Sequence, residues 1–339
     1  MYVGILDQSG TILVHKNLPT TPEAFLRILA PYRDAVGVAE ECIFTWYGLA
    51  DLCQKEGIAF VGGHALYMKA LQGGKAKTDK IAAQKIAVLL RGGLVPQASV
   101  YPAEMRAPRD LLRRRCPLVR QRAELLAHSQ HTHSQYNLPA IGKQLAYRAH
   151  RAGVEDHFPA PSGRKPIEVA GARIDPYDQL RGAVALYITR TAKGHDAQTF
   201  AHLPSVPGSG QRLALVLLYE IQDSTRFPRG PDCVSSCRLV KCAKEANGKR
   251  GGTSGKTLGT GHLRWAFAEA AVLCLRQNHL GKEYLAKLEH THGKAKALTV
   301  LGHKRARRVL PAHAGPALRP PTRCFRVTAD PSARLTSEA

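Results

Sequence analysis

The chain has 339 residues, 44% of them hydrophobic, which is enough for two domains with cores of their own. Its 49 Lys and Arg outnumber 26 Asp and Glu, so the formal net charge is +23. Such an excess repels itself in a compact fold, and its commonest reason is a polyanionic partner, above all nucleic acid. Since no run of about 18 apolar residues and no export signal occurs, we expect no membrane span and a cytoplasmic location.

Residues 1–108 alternate short apolar runs with amphipathic segments. The predicted elements, in chain order, are strands at 2–6 and 11–18, a helix from Pro22 to about Tyr32, a strand at 35–39, a helix at 45–56, a strand at 58–62 and a helix at 78–91. The first two strands form a hairpin, and strands and helices then alternate. This order predicts an α/β domain whose sheet is partly parallel.

Two segments within residues 109–198 have heptad spacing. Their apolar positions are Leu112, Cys116, Val119, Ala123 and Leu126, and then Tyr177, Leu180, Val184, Tyr187 and Thr191. The pattern predicts an antiparallel helical hairpin or an oligomerisation arm, with an ordinary helical core as the alternative. Pro117 would kink the first helix. Asp175 and Asp178 are interpreted as structural acids at the start of the second helix.

Basic residues are concentrated in two places. Five arginines lie on and beside the first heptad segment: Arg113, Arg114, Arg115, Arg120 and Arg122. Residues 244–260 are basic and glycine-rich, too polar to pack, and lead into a predicted helix at 262–277. Glycine loops entering helices bind phosphate, so we expect Lys249, Arg250 and Lys256 to contact nucleic acid together with the five arginines. A solvated linker is the alternative for 244–260.

Other features leave alternatives open. The Pro-Gly-x-Gly turn within 203–221 resembles a helix-hairpin-helix, but a packing corner between helices is equally compatible. The cysteines are expected to be reduced thiols, because Cys233, Cys237 and Cys242 lack the paired spacing of a zinc site. Residues 311–339 contain five prolines and no apolar periodicity, and are predicted to be disordered.

Three acids mark possible metal chemistry. Asp7 ends the first predicted strand, Glu41 follows a neighbouring strand, and Asp79 starts a helix. Acids at strand ends of one sheet converge on one edge, and a divalent cation such as Mg²⁺ keeps clustered carboxylates ionised. Two such ions can activate a nucleophile on a phosphodiester. The acids and the basic chain together favour a nuclease-like enzyme.

Several strings carry a family resemblance: YVGILDQSG, GHALYMKALQGGKAKTDK, YPAEMRAPRDLLRRRC, LVLLYEI, RLVKCAKE and HLRWAFAEAAVL. They resemble the DEDD-type insertion-sequence transposases, over about residues 1–310. The resemblance implies an α/β ribonuclease-H-like (RuvC-like) metal domain at 1–108, a coiled-coil arm at 109–198, and a mainly α transposase domain at 199–310. It also implies DNA partners (the element ends and the target), a structured guide RNA, a homo-oligomer (dimer or tetramer) and a bacterial, nucleoid-associated location.

The resemblance assigns site residues one by one, and two positions depart from it. Asp7, Glu41 and Asp79 match the first three metal-binding acids, but the fourth position is Ala82. The serine that attacks DNA in this family corresponds to Ala246; Ser254 replaces it only if the alignment is shifted. We therefore expect a degenerate copy of a transposase or recombinase. The alternative is a catalytically inactive remnant that still binds nucleic acid.

Overall fold

A computed structural model of the chain describes residues 1–43, 46–72, 78–254, 258–276 and 278–314. The chain divides into two compact units, Met1–Ala103 and Glu104–Ala339. The residues of the predicted arm and of the predicted C-terminal domain both belong to the second unit. In the described part of the chain, no helix is long and apolar enough to span a membrane.

The first unit alternates strands and helices. Its elements are β1 (Tyr2–Leu6), β2 (Ile12–Asn17), α1 (Pro22–Leu29), a 3-10 helix (Ala30–Ala35), β3 (Gly37–Glu41), α2 (Trp46–Lys55), β4 (Ala59–Gly63), α3 (Ala65–Gln72) and α4 (Asp79–Arg91). All the predicted elements of this region are present. Helix α3 was not predicted, because its apolar positions follow β4 without a separating turn.

The strands of the first unit are paired differently from the prediction of one sheet. β1 and β2 form an antiparallel hairpin, β3 and β4 form a parallel pair, and these are two separate two-stranded sheets among the described residues. Helix α4 contacts both β1 and β3. The core consists of Ile5, Phe25, Leu29, Val38, Cys53 and Ile58.

The second unit is mainly helical. Its elements are α5 (Ala103–Gln135), α6 (Pro161–His195), α7 (Ala197–His202), α8 (Gln211–Ile221), α9 (Gly230–Ser236), β5 (Cys242–Ala246), β6 (Lys249–Ser254), α10 (Gly261–Cys274), α11 (His279–His292) and α12 (Lys294–Ala314), with short 3-10 turns between α5 and α6 and after α7. Residues 311–314 are helical rather than disordered as predicted, and 315–339 lie outside the described residues.

Helix α8 forms the centre of the second unit. Every residue from Leu213 to Ile221 is buried, and the helix contacts α6, α7 and α10. A helix that is apolar on all sides is stable only when it is surrounded by protein, which explains the unbroken run LALVLLY. Glu220 is the one charged residue in this buried stretch.

The buried carboxylate of Glu220 is held by two arginines of α5. Its Oε2 accepts hydrogen bonds from Nε and Nη2 of Arg109 at 3.2 and 3.0 Å, and from Nη2 of Arg113 at 2.9 Å. Its Oε1 accepts one from Nε of Arg113 at 2.7 Å. Only 1% of the Glu220 side chain is exposed. These charge-assisted bonds tie the first turns of α5 to the central helix.

The predicted heptad positions of α6 are not the positions buried within this chain, and an oligomerisation arm stays a prediction. The buried positions of this helix include Ile167, Ala170, Ile174, Ile188 and Ala192, whereas Leu180 and Tyr187 are 51% and 59% exposed. The stripe buried within the chain passes through Asp178 and Arg181, and the charges of these two residues concealed it from the sequence pattern. On α5, Leu112 is buried as predicted, but Ala123 is exposed.

The second helix also starts earlier than expected. Helix α6 begins at Pro161, so Asp175 and Asp178 lie inside it and not at its start. Arg122 Nε donates to Asp178 Oδ1 at 2.7 Å, Arg181 Nη2 donates to the same oxygen at 2.8 Å, and Arg151 pairs with both acids. The structural interpretation of the two acids therefore stands, but the cause is ion pairing rather than the helix dipole.

The Pro-Gly-x-Gly turn before α8 lies against α10. A Cβ added to Gly208, whose φ is +85°, would lie 2.3 Å from the carbonyl oxygen of Ala270 and 2.9 Å from the Cβ of Cys274. Glycine is therefore required here for close packing of protein against protein. This contact favours the packing-corner alternative over a helix-hairpin-helix.

Removing the buried carboxylate should strongly destabilise the second unit. We expect Glu220→Ala to lower the free energy of unfolding by about 3–5 kcal/mol, because it leaves two arginines without their buried partner. The matched control is Asp110→Ala, which breaks the Arg114–Asp110 pair whose side chains are 75% and 60% exposed, and should cost at most about 0.5 kcal/mol. Urea denaturation followed by circular dichroism measures both. Equal losses would contradict this role for Glu220.

The ion pairs of Asp178 predict a pH-dependent contribution to stability. Partial burial alone raises the pKa of Asp178, but the hydrogen bonds and charges of Arg122 and Arg181 outweigh it and lower the pKa below 3.8. The stabilisation is therefore complete above the unfolded-state pKa and is lost as pH falls through the folded-state pKa.

We expect Asp178→Asn to destabilise the protein by about 1–3 kcal/mol at neutral pH, with the difference from the parent shrinking under acid conditions. Thermal unfolding over a pH series tests this. Asp156→Asn is the control, because the Asp156 side chain is 71% exposed and its pair with Arg164 is long, at 3.9 Å. A destabilisation by Asp178→Asn that is independent of pH would show that shape, and not charge, matters at this position.

Candidate metal-binding acids and nucleic-acid interface

Asp7 lies in the turn that follows β1. Its Oδ1 accepts hydrogen bonds from the Ser9 hydroxyl at 2.7 Å and from the Thr11 amide at 2.8 Å. These bonds, that of Ser9 foremost, hold the pKa of Asp7 below its usual value. Asp7 is therefore ionised at neutral pH, and one of its oxygens already has two donors.

Glu41 and Glu40 lie side by side at the end of β3 and differ in environment. Glu41 pairs with Gly63 of β4 and is half-buried. Adjacent residues of a strand face opposite ways. The Oε2 of Glu40 is buried without a hydrogen-bond partner among the described residues, and burial raises its pKa. Burial and the two carboxylates also raise the pKa of the Cys42 thiol to about 12.

Asp79 is the first residue of α4. The side chain of Thr78 caps the helix by accepting from the Ile81 amide at 3.3 Å, and Asp79 itself is exposed. Ala82 lies one turn further along α4, on the same side of the helix as Asp79, because residues three apart are neighbours on a helix surface. The position that the resemblance assigns to the fourth acid is therefore next to the third, but it carries a methyl group.

A cavity of about 830 Å³ lies between β1, β3 and α4. Asp7 and Glu40 both line it, together with Ala83 and Arg91, whereas Glu41 and Asp79 do not. Asp7 and Glu41 also belong to different two-stranded sheets, so the premise that the acids share one sheet edge is wrong.

Asp7, Glu41 and Asp79 are not gathered into one cluster in the part of the chain that the structure describes. Among the described residues, no group of three or more His, Cys, Asp and Glu side chains is arranged to hold an ion. The fourth acid position offers no oxygen atom, and Oδ1 of Asp7 is engaged by two donors. The assignment of Asp7, Glu41 and Asp79 as metal ligands and catalytic residues stays a prediction.

The five arginines predicted to bind nucleic acid do not form one surface. Arg113 is paired with Glu220, and Arg122 with Asp178 and the carbonyl oxygen of Ala146. Arg114 is exposed beside Asp110, Arg115 is partly buried and Arg120 is exposed. Two of the five therefore hold the protein together, because acids far away in sequence neutralise them.

Residues 242–254, which include most of the glycine-rich basic segment, form a β-hairpin where a loop was expected. β5 and β6 are antiparallel, with Ala246 opposite Lys249 and Cys242 opposite Ser254. Asn247 and Gly248, with φ of 50° and 71°, form the two-residue turn, as is typical of Asn-Gly. Lys249 is exposed; the backbone of Arg250 lies in β6, and Lys256 lies outside the described residues.

Ala246 and Ser254 lie at opposite ends of this hairpin. Ala246 is the last residue of β5 and is exposed, whereas Ser254 is the last residue of β6 and pairs with the first residue of β5. Along β5, the two positions are four residue steps apart, which is about 13 Å at the usual rise. The alternative that Ser254 replaces the serine stays a prediction.

The thiols of the second unit agree with the reduced state that was expected. Cys233 and Cys237 are buried and their Sγ atoms are 3.9 Å apart, and Cys242 is exposed on β5. All three are free thiols, and they belong to no metal-holding group among the described residues.

Two family models match the chain. Residues 1–137 match a model described as a transposase, of the DEDD type found in the IS110 group, and residues 201–286 match the transposase IS116/IS110/IS902 family. A search of curated proteins finds no match. The first match implies a ribonuclease-H-like fold for the first unit, and its α/β elements are consistent with that fold.

Restoring the fourth acid should create metal affinity. We expect Ala82→Asp to make the first unit more heat-stable in Mg²⁺, because a carboxylate is added one turn from Asp79. If the free Mg²⁺ concentration is about 100 times Kd, the free energy of unfolding should rise by about 2.7 kcal/mol. Gln84→Asp is the control, since residue 84 is exposed and also on α4. Thermal shift with and without Mg²⁺ measures the gain. An equal Mg²⁺-dependent gain in the two variants would show that Asp79 does not belong to a metal site.

Proposed function

Because the chain carries transposase domains of the IS110 insertion-sequence family, we propose that it is a DNA recombinase of an insertion sequence whose catalytic residues are incomplete. Its substrates are the ends of the element and a target DNA, and a structured RNA of the element guides their pairing. The observation that carries this proposal is the presence of both family domains, in one chain and without overlap, at 1–137 and 201–286.

The loss of the nucleophile is the first support for incomplete catalysis. In the mechanism implied by the resemblance, a serine oxygen attacks phosphorus and forms a covalent link to DNA. Ala246 stands at that position, exposed beside a tight turn, and a methyl group has no lone pair for the attack. Position 246 is exposed to solvent on the hairpin. DNA could therefore reach this position, and what is lacking there is the hydroxyl group.

The second support comes from the first unit. The family match implies dependence on divalent metal in general, but this chain has Ala82 where the fourth acid is expected. Asp7 and Glu40 share a cavity and Glu41 and Asp79 lie outside it. Both the nucleophile and the metal-binding set are therefore incomplete, and they are lost in separate units.

The second candidate function is nucleic-acid binding without catalysis. The net charge of +23 favours it, because loss of two catalytic side chains leaves the electrostatic attraction to a polyanion unchanged. Binding without cleavage would make the protein a competitor at the element's own ends. Strand-exchange assays separate the two candidates, since only the first predicts recovery of activity by reversion.

Reversion of both positions should restore activity, and neither reversion alone should do so. We expect Ala82→Asp with Ala246→Ser to raise the yield of recombined junctions by about 10³-fold or more over the unmodified chain, because the catalytic groups act as one unit. The assay contains the element ends, the target, the element's RNA and Mg²⁺, and junctions are counted by quantitative PCR.

The matched control is Ala82→Asn with Ala246→Ser, which restores the shape of the acid without its charge. Activity of this control equal to that of the double revertant would show that the residue at 82 is not a metal ligand. Recombination by the unmodified chain would overturn the proposal that its catalytic set is incomplete, and Ser254→Ala would then be the next variant to measure.

A further inference from the structure

A basic cleft lies in the second unit between α5 and the start of α10. Its volume is about 720 Å³. The side chains that define it are Arg113, Arg115, Arg120, Arg238, His262 and Trp265. They come from α5, from the segment after α9 and from the first turns of α10. Among the residues that the structure describes, none that lines the cleft is acidic.

Most of the positive charge in the cleft is not neutralised by the protein. Arg113 is paired with Glu220, but Arg115, Arg120 and Arg238 form no ion pair with the acids that the structure describes. Arg120 is exposed. Arg238 is held in position because its Nε donates to the Gly259 carbonyl oxygen at 2.5 Å, which leaves its charge without a carboxylate partner.

Arg115 is strained electrostatically. Burial, and then the charges of Arg212 and Arg181, lower its pKa, and its Nε is buried without a partner among the described residues. Gathering like charges around a partly buried guanidinium costs stability. An anion in the cleft would relieve that cost, so the arrangement suits a bound polyanion better than an empty cleft.

The first turn of α10 adds further donors. Thr260 precedes the helix and makes no side-chain capping bond, so its hydroxyl does not occupy the amides of the first turn. The chain reaches this point through Gly259, whose φ is +91° and where a Cβ would lie 2.3 Å from the Ser236 carbonyl oxygen. Glycine is therefore needed to bring the start of the helix to the cleft.

Trp265 distinguishes this cleft from a simple phosphate site. It lies on α10, one turn after Gly261, and 46% of the residue is exposed although indole is among the most apolar surfaces a protein can offer. An exposed aromatic ring beside arginines is typical of sites that bind unpaired nucleic acid, where a base stacks on the ring and the backbone lies along the cations. In a duplex, the faces of the bases are already stacked and are not accessible.

We propose that this cleft binds an unpaired nucleotide segment, with phosphodiester groups at Arg115, Arg120 and Arg238 and a base stacked on Trp265. The inference rests on the proposed transposase function and deepens it, because it assigns a single-stranded segment to a defined site in the second unit. The segment is either RNA or a displaced DNA strand; both offer a phosphodiester and an open base face.

The full chain with Trp46→Phe provides a direct test, because Trp46 and Trp265 are its two tryptophans. We expect oligo(U) or oligo(dT) to quench Trp265 fluorescence, and a duplex of equal length to leave it unchanged. Quenching by oligo(U) alone identifies an RNA segment, and quenching by oligo(dT) alone identifies a DNA strand. No quenching by either, or equal quenching by the duplex, overturns the proposal.

Affinity measured by fluorescence anisotropy gives the second readout. We expect Trp265→Ala to weaken single-strand binding about 5- to 150-fold, the usual cost of one lost stacking contact, and Trp265→Phe to retain most of it. Tyr187→Ala is the control, since Tyr187 is also exposed, on α6. Arg120→Ala should make the dependence of log affinity on log salt shallower by about 0.7, whereas Arg190→Ala, exposed on α6 and outside the cleft, should not.

Equal effects of Trp265→Ala and Tyr187→Ala, or of Arg120→Ala and Arg190→Ala, would overturn the cleft as the binding site. The outcome is separable from that of the proposed function. If the Ala82→Asp, Ala246→Ser protein recombines DNA and Trp265 is neither quenched nor needed for binding, the transposase stands and the cleft is wrong. If Trp265 stacks and no reverted protein recombines, the cleft stands and the recombinase proposal fails.

Discussion

The organisation of the second unit depends on one buried carboxylate. Glu220 lies in the buried last turn of the apolar helix α8, where an unpaired charge would be very costly, and so it requires Arg109 and Arg113 of α5. That requirement fixes both the rotation and the register of α5 on the central helix. Arg120 lies two turns after Arg113, on the same side of α5, and is thereby directed to the start of α10.

The excess of positive charge consequently has two uses. Arg113, Arg122, Arg151 and Arg181 neutralise acids inside the protein and hold the long helices together. Arg115, Arg120 and Arg238 have no acidic partner among the described residues and surround the cleft. The same residue type thus stabilises one part of the unit and leaves another with unbalanced charge, and the difference is set by where the few acids lie.

The catalytic and binding features have different requirements. Catalysis needs an oxygen at particular positions, and under the proposed function Ala82 and Ala246 each lack a necessary atom. Binding of a polyanion uses many weak contacts that add up, and the loss of two small polar side chains hardly changes it. A chain without catalytic activity can therefore still bind nucleic acid, which is why the two proposals are tested by separate measurements.

The sequence by itself determined the elements of the first unit other than α3, and it indicated the family resemblance with its departures at Ala82 and Ala246, because these depend on local pattern and residue identity. Only the tertiary structure decided the pairing of β1–β2 and β3–β4 as separate sheets, the phase of the buried stripe on α6, and which arginines face inward. These outcomes depend on contacts between residues far apart in the chain, such as Arg113 with Glu220 and Arg122 with Asp178. A charge pattern shows how many arginines there are, but the position of each buried carboxylate decides which of them remain available to nucleic acid.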